Sequence, residues 1–378
     1  MAMSKRLHLY CKSLLSVGVE LAVVVPGEDS KGKKSYFDKV EYFTVNNPFV
    51  FTNYLLRQLN SFYAAFVYAR YFNAFAKNYD VIFICGLGWF SSIITAIGVH
   101  RGGAKVVLEV NENPYSPEGG RLDTIFMRKI RRWLMLNITF KYMDGFIVIS
   151  QKLKQLVESF KSDRANVLEL PILVDDKEIC NVNSDSFIRP YLLHTGAVSE
   201  TKDGMSAVFE AFGKAYKDLG GRLNFYLTEN RMHHSLYKKV YSIIDKYGMH
   251  NNIFFTGYLP EGELEKLRYN SSLAIVNKPS NWQNDYNFPT KLGEYLLASI
   301  PTIVSSNGEM NRYLTDGQTA FIVPGNDSDM IAEKIKYIIQ HPDEALEIGK
   351  AGRKMALECF NYKNYSECVQ NFFLSVLN

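Results

Sequence analysis

Short apolar runs rich in β-branched residues alternate with longer segments of helical periodicity along the chain. In the first half these runs fall at residues 20–27, 41–46, 80–86, 104–112 and 145–150. In the second half they fall at residues 191–198, 223–230, 252–259, 273–278, 301–306 and 320–325. Strands separated by helices in this way are typical of βαβ units and parallel sheets, so the expected fold class is α/β.

A polar, aperiodic segment at residues 171–190 separates the two series of strands. The chain has 378 residues, which is more than one hydrophobic core usually holds. We therefore expect two doubly wound, Rossmann-like domains facing a cleft. The first comprises residues 1–175, with a C-terminal helix at about 361–378 packing back on it, and the second comprises residues 186–360.

The first domain departs from the doubly wound pattern at its start. Such a domain begins with a strand and a glycine turn, whereas this chain opens with helical periodicity at residues 4–19. The domain is therefore expected to lack its first strand, which would leave two unpaired sheet edges. Two explanations stay open: the true start lies upstream of Met1, or the first domain is incomplete.

Charge is unevenly distributed between the two halves. Residues 1–170 hold 22 Lys and Arg against 14 Asp and Glu, and residues 171–378 hold 21 against 25. A basic half predicts an anionic partner, for which phospholipid, a phosphate-bearing substrate and nucleic acid are the candidates. Nucleic acid is not expected, because the basic residues share one or two helices and no nucleic-acid-binding motif accompanies them.

The most basic segment is residues 121–145, where Phe, Trp, Leu and Met stand among Arg121, Arg128, Lys129, Arg131, Arg132 and Lys141. Two interpretations stay open: a helix packed on the sheet with a basic outer face, or a helix that docks on anionic lipid headgroups. No apolar run is long enough to span a membrane. Five dispersed cysteines indicate reduced thiols, so we expect a cytoplasmic location, with peripheral attachment to the inner face of the plasma membrane under the second interpretation.

The segment NFPTKLGEYL (287–296) follows the apolar run 273–278 and suits an anionic ligand. Asn287 is expected to cap the following helix, with Pro289 at its first position. A diphosphate could then bind the N–H groups near Thr290 and Lys291, while Glu294 accepts hydrogen bonds from sugar hydroxyls. The alternative is an ordinary capped helix with a surface ion pair between Lys291 and Glu294.

Two further strand ends favour the ligand-binding interpretation. GAVSETKDG (196–204) follows the first strand of the second domain and brings Lys202 to a helix start. In TGY (256–258), Gly257 and Tyr258 offer backbone groups to a planar base. Open α/β sheets bind ligands at the carboxyl ends of their strands, so all three segments are expected at one edge.

These segments, with the closing GQTAFIVPG (317–325), resemble the retaining nucleotide-sugar glycosyltransferases of family 4, which have the GT-B fold and belong to glycosyl transferases group 1. The resemblance covers nearly the whole chain and is most specific from Gly196 to Gly325. It implies that Lys202 and Lys291 hold the donor diphosphate and that Glu294 holds the ribose. It also implies that Thr290 and its neighbours lie against the phosphates and the transferred sugar.

Two positions depart from the family's pattern. The first acid of its E-x7-E motif is replaced by Tyr286, and Asp285 beside it is the candidate substitute for a donor-sugar contact. The basic residue common after the strand-end glycine is replaced by Ala197. Both departures bear on the identity of the donor sugar more than on the class of reaction.

Glu109 and Glu112 lie three residues apart in the segment 108–120, which reads either as a solvated acidic loop or as part of the site. Similar glycosyltransferases present a residue here, often a His, to the acceptor and the reacting sugar. We expect Glu112 to be the catalytic residue and Glu109, which has the opposite parity along the strand, to matter less.

The expected activity is transfer of a sugar from a nucleotide diphospho-sugar to a saccharide acceptor, lipid-linked, in capsule or lipopolysaccharide biosynthesis. The histidines, including His233 and His234, show no metal-ligand spacing, so neither a metal nor another cofactor is expected. Two alternatives are a non-catalytic GT-B partner protein and a nucleotide-sugar epimerase.

Overall fold

The structure is a computed structural model that describes residues 2–27, 34–37, 40–46, 54–86, 88–114, 125–178, 190–229 and 234–378. By proximity the chain divides into two units. Unit 1 comprises Met1–Pro171 and Tyr362–Asn378, and unit 2 comprises Ile172–Asn361. Most of the predicted linker, residues 179–189, lies outside the described residues.

The strands of unit 1 form two sheets. The first contains β1 (Val23–Gly27), β2 (Lys34–Phe37) and β3 (Val40–Asn46), with β3 parallel to β1 and antiparallel to β2. The second is parallel and runs in the order β4 (Val81–Ile84), β5 (Lys105–Val110), β6 (Gly145–Val148) and β7 (Asn166–Glu169). In the described part of the chain the two sheets are separate, as expected when a central strand is missing from the order.

The helices of unit 1 are α1 (Ala2–Ser16), α2 (Tyr54–Phe75), α3 (Trp89–Gly102), α4 (Ile125–Asn137), α5 (Gln151–Phe160) and, at the end of the chain, α13 (Ser366–Leu377). As expected, α1 precedes β1. The single basic helix predicted over residues 121–145 is wrong, because α4 ends at Asn137 and a short 3-10 helix (Thr139–Tyr142) follows it. Arg121 lies outside the described residues.

Unit 2 contains one parallel sheet of six strands: β8 (Tyr191–His194), β9 (Asn224–Leu227), β10 (Ile253–Phe255), β11 (Leu273–Val276), β12 (Thr302–Ser305) and β13 (Phe321–Val323). Their spatial order is β10-β9-β8-β11-β12-β13. The chain therefore leaves β8 in one direction along the sheet and later returns to place β11 on its other side. This reversal makes the carboxyl ends of β8 and β11 the topological switch point, where doubly wound sheets bind ligands.

The helices of unit 2 are α6 (Glu200–Asp203), α7 (Met205–Asp218), α8 (His234–Tyr247), α9 (Glu261–Tyr269), α10 (Thr290–Leu297), α11 (Ser328–Gln340) and α12 (Pro342–Phe360). Apolar side chains of α7, including Phe209 and Phe212, pack with Phe225 of β9 in a buried core. β8, β11 and β12 are buried at every position, and burial of both sheet faces explains why these central strands lie in nearly continuous apolar runs.

Candidate functional site

A cluster of charged side chains lies at the switch point of unit 2. Asp203, the last residue of α6, accepts hydrogen bonds from two lysines at the same carboxylate oxygen, Oδ1. Lys278 Nζ, just beyond β11, is 2.9 Å from this oxygen, and Lys291 Nζ, in the first turn of α10, is 3.1 Å from it. Lys291 also donates to Thr195 O at 3.4 Å, next to the end of β8. The segments that follow β8 and β11 thus meet at one carboxylate.

Burial controls the protonation of this cluster. It would by itself raise the pKa of Asp203, but Lys291 and Lys278 outweigh that effect and hold this pKa well below its usual range. Burial lowers the pKa of Lys291 to about 8, although Asp203 acts in the opposite direction. Burial and the nearby Lys291 charge lower the pKa of His194 to about 3, so this side chain is neutral at physiological pH.

The backbone that carries Asp203 is fixed by local sequence. Ser199 caps α6 by accepting a hydrogen bond from the Lys202 N–H. Gly204 follows with φ +54°, and a Cβ there would collide with the side chains of Asn277 and Asn326. Asn277 Nδ2 donates to Asp203 O at 2.9 Å. The K-D-G sequence therefore needs its glycine for both backbone conformation and close packing.

Lys278 is held in place by the strand and loops beside it. Its N–H donates to Ser305 Oγ at 2.7 Å, and its carbonyl accepts from Asn307 Nδ2 at 2.5 Å. Gly325 lies against the same carbonyl, with no space for a Cβ between them. The final glycine of the GQTAFIVPG segment thus packs directly behind the charged cluster.

The start of α10 differs from the predicted capped helix. Asn287 ends a short 3-10 helix (Asn284–Tyr286), and Pro289 occupies the N-cap position of α10. The expectation that Asn287 caps α10 is therefore wrong: no described side chain does so. The two intervening residues, Phe288 and Pro289, keep Asn287 outside the first turn, and a proline cannot place an oxygen over it.

Lys291 and Glu294 are partly buried and bind different partners. The Lys291 side chain is 17% exposed and pairs with Asp203, while the Glu294 side chain is 22% exposed and lies 3.5 Å from Arg268 Nη2. Arg268 is in the last turn of α9 and is itself buried. An ordinary exposed surface pair, the alternative that the sequence left open, does not describe these two side chains.

The other predicted residues occupy neighbouring loop positions. Gly196 has φ +85° and its N–H donates to Thr228 Oγ1 at 2.9 Å. Gly257 has φ +70° and is buried, whereas Tyr258 is 73% exposed. Three of the predicted residues are half-buried. Lys202 lies in α6, Asp285 lies in the 3-10 helix Asn284–Tyr286, and Thr290 is the first residue of α10.

Sequence reasoning missed Asp203, Lys278, His194 and Arg268. Each except Arg268 stands inside or beside a segment already singled out: Asp203 in K-D-G, Lys278 at the end of the run 273–278, and His194 at the end of β8. These three residues could have been predicted from the sequence, because each places a charged or imidazole side chain at or near the end of an apolar strand.

In unit 1, Glu109 and Glu112 occupy different environments. Glu109 belongs to β5 and is buried, where its Oε1 accepts from Arg6 Nε at 2.8 Å and from Tyr10 OH at 3.1 Å. The interpretation of a solvated acidic loop is therefore wrong for Glu109. Glu112 is exposed, two residues beyond the end of β5. Residues 115–120 of the predicted loop lie outside the described residues.

The outer face of α4 carries Lys129 and, one turn later, Trp133, which is 57% exposed. Tyr142, at the end of the 3-10 helix that follows, is 43% exposed. An exposed tryptophan beside a lysine combines apolar area with positive charge. Within the described ranges, no helix has the length and apolar character needed to cross a bilayer.

Among the described residues, no group of three or more His, Cys, Asp or Glu side chains is placed to hold a metal ion. His233 lies outside that part of the chain. The four described cysteines, Cys11, Cys85, Cys359 and Cys368, are free thiols.

Comparison with known families identifies unit 2. Residues 189–355 match the family of glycosyl transferases group 1. Unit 2 therefore contains a glycosyl transferases group 1 domain. The match covers the switch point, both lysines of the charged cluster and the whole of α10. No curated protein matches the sequence.

Solved structures similar to this chain cover most of its length. Sucrose-phosphate synthase from Thermosynechococcus elongatus is 14% identical, with 97% of this chain and 92% of that chain covered and a TM-score of 0.72. Anabaena HepE in complex with UDP-glucose is 14% identical, with coverages of 89% and 86% and a TM-score of 0.68. A glycosyltransferase from Rickettsia africae is 15% identical, with coverages of 89% and 86% and a TM-score of 0.65. The expected GT-B fold class is confirmed.

Proposed function

We propose that this glycosyltransferase moves a sugar from a nucleotide diphospho-sugar to a saccharide acceptor, with retention of anomeric configuration. The observation that carries the proposal is a partly buried lysine, Lys291, in the first turn of α10 at the switch point of unit 2. A helix start and a lysine together attract a diphosphate, because the free N–H groups, the helix dipole and the ammonium charge act in the same direction.

The proposed donor contacts are distributed over the loops after β8, β10 and β11. Lys202 and Lys291 bind the diphosphate, and Glu294 accepts hydrogen bonds from the ribose. The nucleotide base lies against the loop glycines and the exposed tyrosine, and the transferred sugar lies near the start of α10. The remaining donor-binding residues in this assignment are Gly196, Gly257, Tyr258, Asp285, Asn287 and Thr290.

The main charge that develops during transfer is on the departing nucleoside diphosphate. Lysine ammonium groups and the α10 dipole stabilise that charge in a partly buried site, where such interactions are stronger than in water. This arrangement supplies the stabilisation without a metal ion, and the absence of a metal requirement stays a prediction. Glu112 is proposed as the catalytic carboxylate on the acceptor side, at the carboxyl end of β5.

A lipid-linked acceptor in cell-surface polysaccharide synthesis is the finer part of the proposal. It is supported by Lys129 and Trp133 on the outer face of α4, which suit attachment to an anionic membrane. The enzyme would then work in the cytoplasm, on the inner face of the plasma membrane.

A thermal-shift screen tests the donor assignment. UDP, GDP and CDP are compared with their nucleosides, starting with UDP because Anabaena HepE was solved with UDP-glucose. One nucleoside diphosphate should stabilise the protein by about 2.7 kcal/mol at a concentration of ~100 Kd, and its nucleoside should do much less. If none of the three stabilises the protein, or if nucleosides act as well as diphosphates, the proposed donor site is wrong.

A further inference from the structure

Lys278 lies outside the donor contacts proposed so far, yet it shares an acceptor with one of them. Its ammonium group and that of Lys291 both donate to Asp203 Oδ1, at 2.9 and 3.1 Å. The side chains of Lys278 and Asp203 are 11% and 6% exposed. Two lysines, one just after β11 and the other at the start of α10, are therefore held side by side on one oxygen atom.

The charges in this cluster do not balance. Lys278 and Lys291 contribute two positive charges, Asp203 contributes one negative charge, and His194 is neutral because its pKa is about 3. Glu294 also acts on Lys291, but its charge is offset by Arg268, 3.5 Å away. Either lysine alone would neutralise Asp203. A second buried cation costs free energy unless another anion completes the cluster, and the nearby start of α10 adds to the positive potential. The surplus charge points to an anionic ligand.

The position of Lys278 is also fixed before any ligand binds. Ser305 and Asn307 hydrogen bond its N–H and carbonyl, and Gly325 packs against the same carbonyl. Two loops and the end of β12 thus hold its backbone in place. Asp203 holds the ammonium group itself, so this cation loses little conformational entropy when it contacts a ligand.

We propose that Lys278 is a second cationic contact for the donor diphosphate, and that Asp203 holds Lys278 and Lys291 together until the donor binds. The proposal rests on the function proposed above. In this view Asp203 is a positioning residue, while both lysines touch the diphosphate when the nucleotide sugar is bound.

The test compares two variants by calorimetric titration with UDP and with inorganic pyrophosphate. Lys278→Met removes the proposed contact. Lys278→Met/Asp203→Asn removes the contact together with its counter-ion, so the cluster keeps the net charge of the wild type and no buried carboxylate loses a partner. If Lys278 touches the diphosphate, both variants should bind each probe at least about tenfold more weakly, the loss expected for one charge-assisted hydrogen bond.

A merely structural role for Lys278 predicts a different result. The single variant would then lose thermal stability, and the double variant would bind UDP and pyrophosphate with wild-type affinity, which would overturn the proposal. Lys278→Arg, which keeps the charge, should retain affinity to within about threefold if the contact is electrostatic. Lys214→Met is the matched control, because Lys214 pairs with Asp329 elsewhere in the same unit.

The wild-type titration separates the two proposals. If the wild type binds UDP or pyrophosphate and the double variant binds equally well, only the assignment of Lys278 fails. If the wild type binds neither probe, the donor site itself is wrong and the assignment of Lys278 is overturned with it.

Discussion

At the scale of single residues, the protonation of Lys291 is controlled by its surroundings. Three groups contact its ammonium nitrogen: Asp203 Oδ1, Thr195 O and, at 3.3 Å, His194 Nε2. Burial lowers the pKa of Lys291 to about 8, close to physiological pH. A small rise in pH therefore removes the charge on which diphosphate binding is proposed to depend.

The affinity for UDP should fall as pH rises through 8. A diphosphate prefers protonated Lys291, so above the pKa of the unliganded protein the affinity should drop by up to about tenfold per pH unit. His194 is neutral throughout this range, because its pKa is about 3. Titrations between pH 7 and pH 9.5 measure the profile. Lys291→Met should bind UDP weakly, with an affinity that does not change with pH. Lys214→Met should show the same pH dependence as the wild type. A wild-type affinity for UDP that is constant over this range would contradict the proposed role of Lys291.

Glu112 is the residue through which the proposed chemistry on the acceptor side can be tested. If it is a general base, Glu112→Gln should lower turnover by about 10²–10⁴ with little change in the affinity for the donor. Glu158→Gln, another exposed carboxylate of unit 1, is the control and should keep full turnover. Steady-state rates with the acceptor, and UDP titrations on the same preparations, make the comparison. Full turnover in Glu112→Gln would make Glu112 an ordinary loop acid.

At the scale of elements, α1 is anchored to the second sheet of unit 1 by one buried cation. Arg6 pairs with Glu109 of β5 and also donates to Pro171 O at 2.6 Å and to Leu170 O at 3.1 Å. Its neighbour Tyr10 packs edge-on against Phe83 of β4 and hydrogen bonds the same carboxylate. On its other side α1 packs on β1 and β3 through Cys11. The helix therefore joins the two sheets.

Breaking this anchor should destabilise unit 1. Arg6→Met leaves the buried Glu109 carboxylate without its cation, which should cost about 3–5 kcal/mol. Arg6→Met/Glu109→Gln should recover part of the loss, because no uncompensated charge stays buried. Calorimetric melting in the presence of UDP, which is proposed to bind and stabilise unit 2, should resolve the transition of unit 1. Equal melting of Arg6→Met and the wild type, or a double variant less stable than Arg6→Met, would show that the ion pair does not anchor α1.

The sequence predicted elements well where burial demands a continuous apolar run. All eleven runs contain strands, and the strands of unit 2 appear in the expected order along the chain. The sequence pattern did not predict β2 and β7, because their sequences, KSYF and NVLE, carry polar residues and form no apolar run. It also joined α4 to the following 3-10 helix, because basic and aromatic residues continue across the break at Ile138.

The candidate site could be predicted only in part. Lys202, Lys291 and Glu294 were singled out because helix starts and strand ends can be read from local sequence. Asp203 is 75 residues from Lys278 and 88 from Lys291, so the contacts among them depend on strand order, which spacing along the chain does not reveal. The same holds for the pairing of Glu294 with Arg268.

At the scale of the whole molecule, the basic first half and the exposed face of α4 bear on where the enzyme works. Lys129→Glu should weaken binding to vesicles that contain phosphatidylglycerol by about fivefold or more, since each basic residue contributes about 1 kcal/mol at an anionic surface. Lys350→Glu, an equal charge change on the surface of unit 2, should have little effect. Co-sedimentation measures both, and added salt should release the bound protein. Equal recovery on neutral and anionic vesicles would leave α4 as a packed helix with a basic outer face.

The central claim is that the donor diphosphate binds at the switch point of unit 2, and a crystal structure of the protein with UDP tests it most directly. We predict a diphosphate at the carboxyl ends of β8 and β11, with one of its oxygen atoms about 3 Å from Lys291 Nζ. A diphosphate bound at another edge of the sheet, or on unit 1, would contradict it.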